Sequence, residues 1–290
     1  MLRRTPSRDV TTRSATDAVA LTGFTLSNAQ FVEIGRMVYH VAGICLPPGK
    51  EGLVRSRLSH RLRALRLPGF DAYLSLLESD TSGAELVQMV DAICTNKTSF
   101  FRENAHFELL QTTILPRLAS RRQPIQIWSA GCSSGQEPYT ISIVIREVLG
   151  DDHHARILAT DLSTKILRRA REAVYPHDEL RDVPPVLTPR HFTLADARAK
   201  TYRVADATRA PVKIARLNLM GEWPMRGPFD VIFCRNVMIY FDRATQERLV
   251  HRFSALLAPG GWLLVGHSES LTALHHGLRY VQPAVYRKAE

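Results

Sequence analysis

The stretch Ile125–Asp161 reads IQIWSAGCSSGQEPYTISIVIREVLGDDHHARILATD, and its alternation decides the fold. The apolar run Ile125–Trp128 predicts a buried strand. A loop containing Gly131 and Gly135 follows, and Pro138–Leu149 predicts a helix with proline in its first turn. Ile157–Ala159 predicts a second strand, which ends in Thr160-Asp161. Short apolar strands joined by a helix pair in parallel, the unit of a doubly wound sheet.

Toward the C-terminus the same alternation continues. A helix is expected over Thr164–Ala173, a strand over Phe229–Phe233, a helix over Thr245–Leu257 and a strand over Trp262–Val265, after a turn at Pro259-Gly260-Gly261. Residues 178–215 break the rhythm with prolines and then the strand-like pieces Thr201–Val204 and Val212–Ala215, so they predict a small β insertion. Toward the N-terminus, residues 25–95 read as helices. Ser27 and Gln30 have capping-box spacing, and Phe31, Ile34, Val38 and Val41 recur at helical period until Pro47-Pro48-Gly49 is expected to stop the chain. A second helix spans Lys50 to Leu67, and Ser82 with Glu85 is read as the cap of another, with Leu86, Met89, Val90 and Ile93 on its inner face. The expected organisation is an arm over 1–22, a helical domain over 23–95, a linker and helix over 96–123, and an α/β domain over 124–290.

Composition bounds the function. With 290 residues, 45% hydrophobic and 23% charged, the chain is an ordinary globular sequence. No apolar run approaches the roughly 20 residues that span a bilayer. The first 22 residues carry arginines at 3, 4, 8 and 13 with no apolar core after them, which predicts a disordered arm rather than a secretory signal. Cys45, Cys94, Cys132 and Cys234 form no CxxC pair, so no zinc site or disulfide framework is expected and a reducing cytoplasm is. The net charge of +10 calls for an acidic partner, either nucleic acid or an acidic protein surface.

In an open parallel sheet, ligands bind beyond the carboxyl ends of the strands. The first strand ends in the loop Gly131–Tyr139, whose glycines allow close backbone approach and whose following helix offers amide donors. It lacks the GxGxxG of a dinucleotide site and the Gly-Lys-Ser/Thr of a triphosphate site. Asp161, ending the second strand, has two readings: acceptor for a ribose diol, or N-cap of the next helix. The third strand ends in Cys234-Arg235-Asn236-Val237-Met238-Ile239-Tyr240-Phe241-Asp242, facing the other two loops.

Asn96-Lys97-Thr98-Ser99-Phe100-Phe101-Arg102, the Gly131–Tyr139 loop, Phe229–Phe241 and Gly266-His267-Ser268-Glu269 together resemble the chemotaxis receptor methyltransferase (CheR) family. The resemblance runs from about residue 25 to the C-terminus. It implies a class I methyltransferase sheet with a β insertion, preceded by a small all-α domain. It also implies S-adenosylmethionine as cofactor, S-adenosylhomocysteine as product, and glutamates on the cytoplasmic part of chemotaxis receptors as substrate. By motif match, Asn96, Thr98, Arg102, Gly131, Glu137, Asp161, Asn218, Leu219, Arg235 and Asn236 would contact the cofactor, and Arg102 and Tyr240 would serve catalysis. Carboxylates at 137 and 161 suit an ammonium and a diol, and Arg102 suits a carboxylate. No metal is expected, because a glutamate with an ordinary pKa near 4.3 is already a nucleophile at neutral pH.

The basic helix around residues 50–67 carries Arg55, Arg57, Arg61 and Arg66 beside the apolar stripe Val54, Leu58, Leu62 and Leu65. Its two readings are a solvated face and a docking face for acidic receptor helices, with recruitment to membrane receptor arrays under the resemblance. Family members that tether a receptor's C-terminal pentapeptide on the insertion tend to carry a glycine-bearing loop. Phe192–Lys200 has no glycine, which predicts work without that tether. Two alternatives stand beside this assignment: an RNA methyltransferase, and a module that binds S-adenosylmethionine as a signal without catalysis.

Overall fold

The computed structural model describes residues 23–94, 97–121, 123–151 and 154–290. The arm expected over 1–22 and the candidate Asn96 lie outside the described residues. Two compact units emerge. The residues up to Met37 join Pro47–Ile93 in one, and Val38–Leu46 joins Cys94–Glu290 in the other.

The first unit is helical. Helix α1 (Asn28–Ala42) starts there and runs on beyond Val38; α2 (Glu51–Ala64), α3 (Phe70–Ser79) and α4 (Ala84–Ile93) follow. The capping box at the start of α1 forms as its spacing demands. The Ser27 amide donates to Gln30 Oε1 at 2.8 Å, and the Gln30 amide to Ser27 Oγ at 3.2 Å. The helix stops at Gly43, ahead of the Pro47-Pro48 pair, because Gly43 takes φ +70 and turns the chain left-handed. Val54, Leu58 and Leu62 are buried along α2, each worth about 1.5–3 kcal/mol of apolar transfer.

Two of the candidate docking arginines are used inside this unit. Arg61 forks onto Glu85, with Nε 3.0 Å from Oε1, and the Tyr73 hydroxyl donates to the same oxygen at 2.8 Å. Arg57 Nη1 donates to the Ile93 carbonyl. Both hold α2 against its neighbours, whereas Arg55, Arg63 and Arg66 are exposed. Glu85, being paired, does not close a capping box on α4. Its own amide is instead met by Asp80 Oδ2 at 2.8 Å, and Ser82 Oγ takes the Ala84 amide at 3.2 Å.

In the second unit, α5 (Ala105–Leu109) passes through a π-turn (Leu110–Ile114) into α6 (Leu115–Ala119). The sheet strands then alternate with helices: β1 (Gln126–Ala130), α7 (Gln136–Leu149), β2 (Arg156–Asp161) and α8 (Thr164–Glu172). A small antiparallel sheet follows from β3 (Val174–Pro176), β4 (Phe192–Asp196) and β5 (Thr201–Val204), with short helical turns α9 (Thr188–His191) and α10 (Asp206–Arg209) beside it. The chain returns through β6 (Val212–Arg216), β7 (Phe229–Cys234), α11 (Arg243–Leu256), β8 (Leu257–Val265), β9 (Arg279–Gln282) and β10 (Val285–Arg287).

The large sheet has the order β6-β2-β1-β7-β8-β10-β9, parallel from β6 to β8 and antiparallel beyond. Alternate residues of β7 serve opposite cores. Ile232 and Cys234 join Trp128, Phe253 and Leu263 on one face, while Val231 and Phe233 join Ile127, Ile141 and Leu264 on the other. Burial on both faces is why these strands read as continuous apolar runs.

The small sheet starts and ends earlier than the expected 178–215, running from β3 at Val174 to β5 at Val204. Val212–Arg216 belongs to the large sheet, in parallel register with β2 from Ile157↔Val212 to Asp161↔Arg216. Val212 and Ile214 pack against Ala159 and Leu167, which fixes that choice. The consequence is functional, since β6 delivers Leu217-Asn218-Leu219 beside the end of β2, and the Leu217 amide donates to the Asp161 carbonyl at 3.0 Å. Pro259-Gly260-Gly261, expected as a turn, lies inside β8 where its register against β7 shifts.

Candidate active site

The carboxyl ends of β1, β2 and β7 converge as the topology requires. After β1 the amides of Gly131 and Cys132 both donate to the Thr160 carbonyl at 2.8 Å, binding this loop to the end of β2. Gly131 holds φ +86, and a Cβ there would lie 2.4 Å from Val237 Cγ2. The loop after β1 and the loop after β7 therefore meet at a residue that cannot carry a side chain.

Asp161 accepts the Ser133 amide on Oδ2 at 2.9 Å and the Ser163 amide on Oδ1 at 3.0 Å. The N-cap of α8 is Ser163, whose hydroxyl takes the Ile166 amide at 3.2 Å, so Asp161 does not cap the helix. A carboxylate at a strand end is the kind of acceptor that a vicinal diol requires.

Glu137, in the first turn of α7, is largely buried and accepts Ser129 Oγ at 2.7 Å. Burial pushes its pKa up, and the Arg235 guanidinium pulls in the opposite direction. Arg235 Nη1 stands 3.3 Å from Glu137 Oε2, and Nη2 stands 3.2 Å from Glu103 Oε2 and also donates to the Arg102 carbonyl. Its guanidinium lies over the Phe107 ring at 5.3 Å. One buried cation thus joins the segment around Arg102, the start of α7 and the end of β7.

Glu103 is the residue the motif match did not single out. Burial opposes its ionisation, yet Arg235 and the Asn236 amide hold its pKa below the usual value. Asn236 Nδ2 donates to Glu103 Oε1 at 3.2 Å. Phe101 and Glu103 both hold left-handed backbones, φ +52 and +53, on either side of Arg102. Non-glycine residues in that region are sparse and cluster at functional sites. Arg102 itself is half-buried and donates to the Lys97 carbonyl at 2.8 Å. The adjacent His106 is buried and its pKa is pulled down to about 4, first by desolvation and then by Arg235. Glu103, His106 and His267 bring three possible ligand atoms within 4.8 Å of one another, but the positive charge at Glu103 is supplied by Arg235.

The remaining candidates are spread around this centre. Thr98 is half-buried near Arg102 in sequence, and Tyr240 is half-buried at the end of a one-turn helix, Met238–Tyr240. The Tyr240 carbonyl accepts the Cys45 amide at 2.8 Å. Asn218 spends its side chain on backbone: Nδ2 donates to the Val41 carbonyl at 2.6 Å, and Oδ1 accepts the Met220 amide at 2.9 Å. Leu219 lines a cavity of about 540 Å³ with Tyr39, Met220 and Arg248, and its carbonyl accepts Arg252 at 2.6 Å.

Residues 96–286 match the CheR methyltransferase SAM-binding domain, and residues 29–94 match the CheR all-alpha domain. The chain belongs to the CheR methyltransferase family. The chemotaxis protein methyltransferase of Borreliella burgdorferi is 40% identical over 262 residues, covering 87% of this chain and 92% of that protein. Chemotaxis protein methyltransferase 2 of Pseudomonas aeruginosa is 41% identical over 269 residues, covering 92% and 95%. The Escherichia coli chemotaxis protein methyltransferase is 39% identical over 264 residues, covering 90% and 91%.

As a CheR-family enzyme, the chain uses S-adenosylmethionine, and the donor set fits that molecule. An acid stands at the end of β2, a second acid at the start of α7, and the Arg102 guanidinium lies near enough to Glu137 to lower its pKa. A ribose diol, an ammonium and a carboxylate ask for that set of partners. No helix among the described residues is long and apolar enough to cross a membrane.

Proposed function

We propose that this chain methylates glutamate side chains on the cytoplasmic domain of chemotaxis receptors, acting in the cytoplasm and recruited to receptor arrays. The buried Glu137–Arg235–Glu103 group at the strand ends carries this assignment, because it places the Arg102 segment against the loop after β7. Asp161 takes the ribose diol and Glu137 the ammonium, while Thr98, Asn218 and Leu219 complete the cofactor's surroundings. Bound S-adenosylmethionine supplies an electrophilic methyl group on a sulfonium. Arg102 orients a carboxylate, and Tyr240 lies beside the reacting centre. The substrate glutamate is ionised at neutral pH and needs alignment for in-line displacement, not a general base.

The exposed arginines of the first unit, Arg55, Arg63 and Arg66, form the docking surface for an acidic receptor helix. The insertion works without a receptor tail: its β4–β5 turn reaches a left-handed backbone at Lys200, φ +48, with no glycine. In the test, Arg55 and Arg66 are reversed to Glu, and methyl transfer to a receptor cytoplasmic fragment is followed. The KM for receptor should rise about tenfold at low ionic strength, and S-adenosylhomocysteine affinity should stay unchanged. An unchanged KM with an unchanged salt dependence would mean that the face is only solvated. Arg61→Glu, by contrast, should lower stability, because it sets a carboxylate against Glu85.

A further inference from the structure

We propose that Glu269 is a positioning residue for methyl transfer, holding the loop after β7 in its working conformation through backbone amides. The proposal rests on the assignment of Arg235, Asn236 and Tyr240 above. Glu269 is buried at 6% exposure, and its carboxylate is met by main-chain N–H groups. Oε2 accepts the Gly266 amide at 2.5 Å and the Asn236 amide at 2.7 Å, and Oε1 accepts the Ile239 amide at 3.1 Å. Those donors come from two loops, one after β8 and one after β7, so a single carboxylate ties them together.

Two of the three bonds act on the loop that carries the candidate site residues Arg235, Asn236 and Tyr240. Asn236 holds φ +58, a backbone that a non-glycine side chain rarely adopts. With its amide turned to Glu269, its side chain is free to reach Glu103, and its neighbour Arg235 reaches Glu137. The Ile239 bond fixes the one-turn helix that ends at Tyr240. Gly266 makes room for this closeness. A Cβ there would lie 2.6 Å from Asn236 Nδ2, 2.7 Å from Glu269 Oε2 and 2.9 Å from the Asn236 nitrogen.

A carboxylate suits three donors because both of its oxygens accept. Glutamine has the same shape but one acceptor oxygen, and its amide would aim hydrogens at an N–H. Burial raises the pKa of Glu269 and the backbone donors oppose that, which fits a charge held by oriented amides.

Four proteins decide the matter: wild type, Glu269→Gln, Gly266→Ala and Phe253→Leu. Phe253 is buried with its ring against Trp128 and Trp223 and makes none of the Glu269 hydrogen bonds, so its variant controls for a general loss of Tm. Hydrogen exchange of amides 235–240 and steady-state methylation are measured together. Glu269→Gln should lose protection at Asn236 and Ile239 and lose kcat about tenfold or more, with receptor KM within about threefold. Phe253→Leu should keep both the protection and kcat. Gly266→Ala should reproduce the Glu269→Gln behaviour from the other side of the contact. Unchanged exchange in Glu269→Gln, or a kcat within twofold of wild type, would overturn the proposal. A wild-type protein that transfers no methyl to receptor would remove the functional assignment instead, and exchange alone would then decide whether Glu269 holds the loop.

Discussion

Replacing Arg235 by Met should cost about 3–5 kcal/mol of folding stability, the penalty for stranding a buried charge. Arg235 has a side chain 1% exposed and stands 3.3 Å from Glu137 and 3.2 Å from Glu103. Burial already raises the Glu137 pKa, and Arg235 is the first counterweight to it. Without the guanidinium, Glu137 must either stay charged in an apolar surrounding or take up a proton. The sign of the pH dependence follows. A carboxylate whose folded pKa lies above its unfolded value loses stability as pH rises from the unfolded pKa of 4.5 toward the folded one. The Arg235→Met deficit should therefore be largest at neutral pH and shrink toward pH 4.5. Adding Glu137→Gln should recover part of it, as a double-mutant cycle in urea would read. A variant that unfolds at the wild-type urea concentration at pH 7 would remove the buried group from the account.

Asp161→Ala should weaken S-adenosylmethionine and S-adenosylhomocysteine together, by roughly ten- to a hundredfold, because both carry the same ribose. The size follows from losing a charge-assisted hydrogen bond, about 1.5–3 kcal/mol. Asp161 also accepts the amides of Ser133 and Ser163, so its loss loosens the loop after β1 as well. Adenosine separates the two effects, since it carries the diol without the amino-acid tail. Calorimetry should show adenosine weakened as much as the whole cofactor. An unchanged affinity would return Asp161 to a purely structural role.

Most of the large sheet was legible because burial on both faces leaves unbroken apolar runs at Ile127–Trp128 and Val231–Phe233. The strand β6 was placed in the wrong sheet. Val212-Lys213-Ile214-Ala215 alternates as any half-buried strand does, and nothing local says which edge it joins; contacts with Ala159 and Leu167 decide it. The antiparallel β9 and β10 went unread, being only Arg279–Gln282 and Val285–Arg287 with few buried side chains.

Local motifs let candidate site residues be proposed from the sequence, but residues whose contacts are made with distant partners carry no such signal. Glu103 meets Asn236 across 133 positions of sequence, so its role appears only once the chain is folded. The intramolecular partners of Arg57 and Arg61 were hidden for the same reason. A helical period places them beside the apolar stripe of α2, but it cannot supply the Ile93 carbonyl or the Glu85 carboxylate that draw them inward. Asn218 and Glu269 extend the pattern. One is spent on the Val41 carbonyl, and the other gathers three amides from two loops.

In this assignment a carboxylate on a receptor accepts the methyl group. Incubating the protein with S-adenosylmethionine carrying a labelled methyl, together with receptor-bearing membranes and RNA, tests it most directly. The label should appear on receptor protein and be released as methanol by mild base, as a glutamyl methyl ester requires. Base-stable label, label on RNA, or no transfer from a protein that still binds S-adenosylhomocysteine would contradict it.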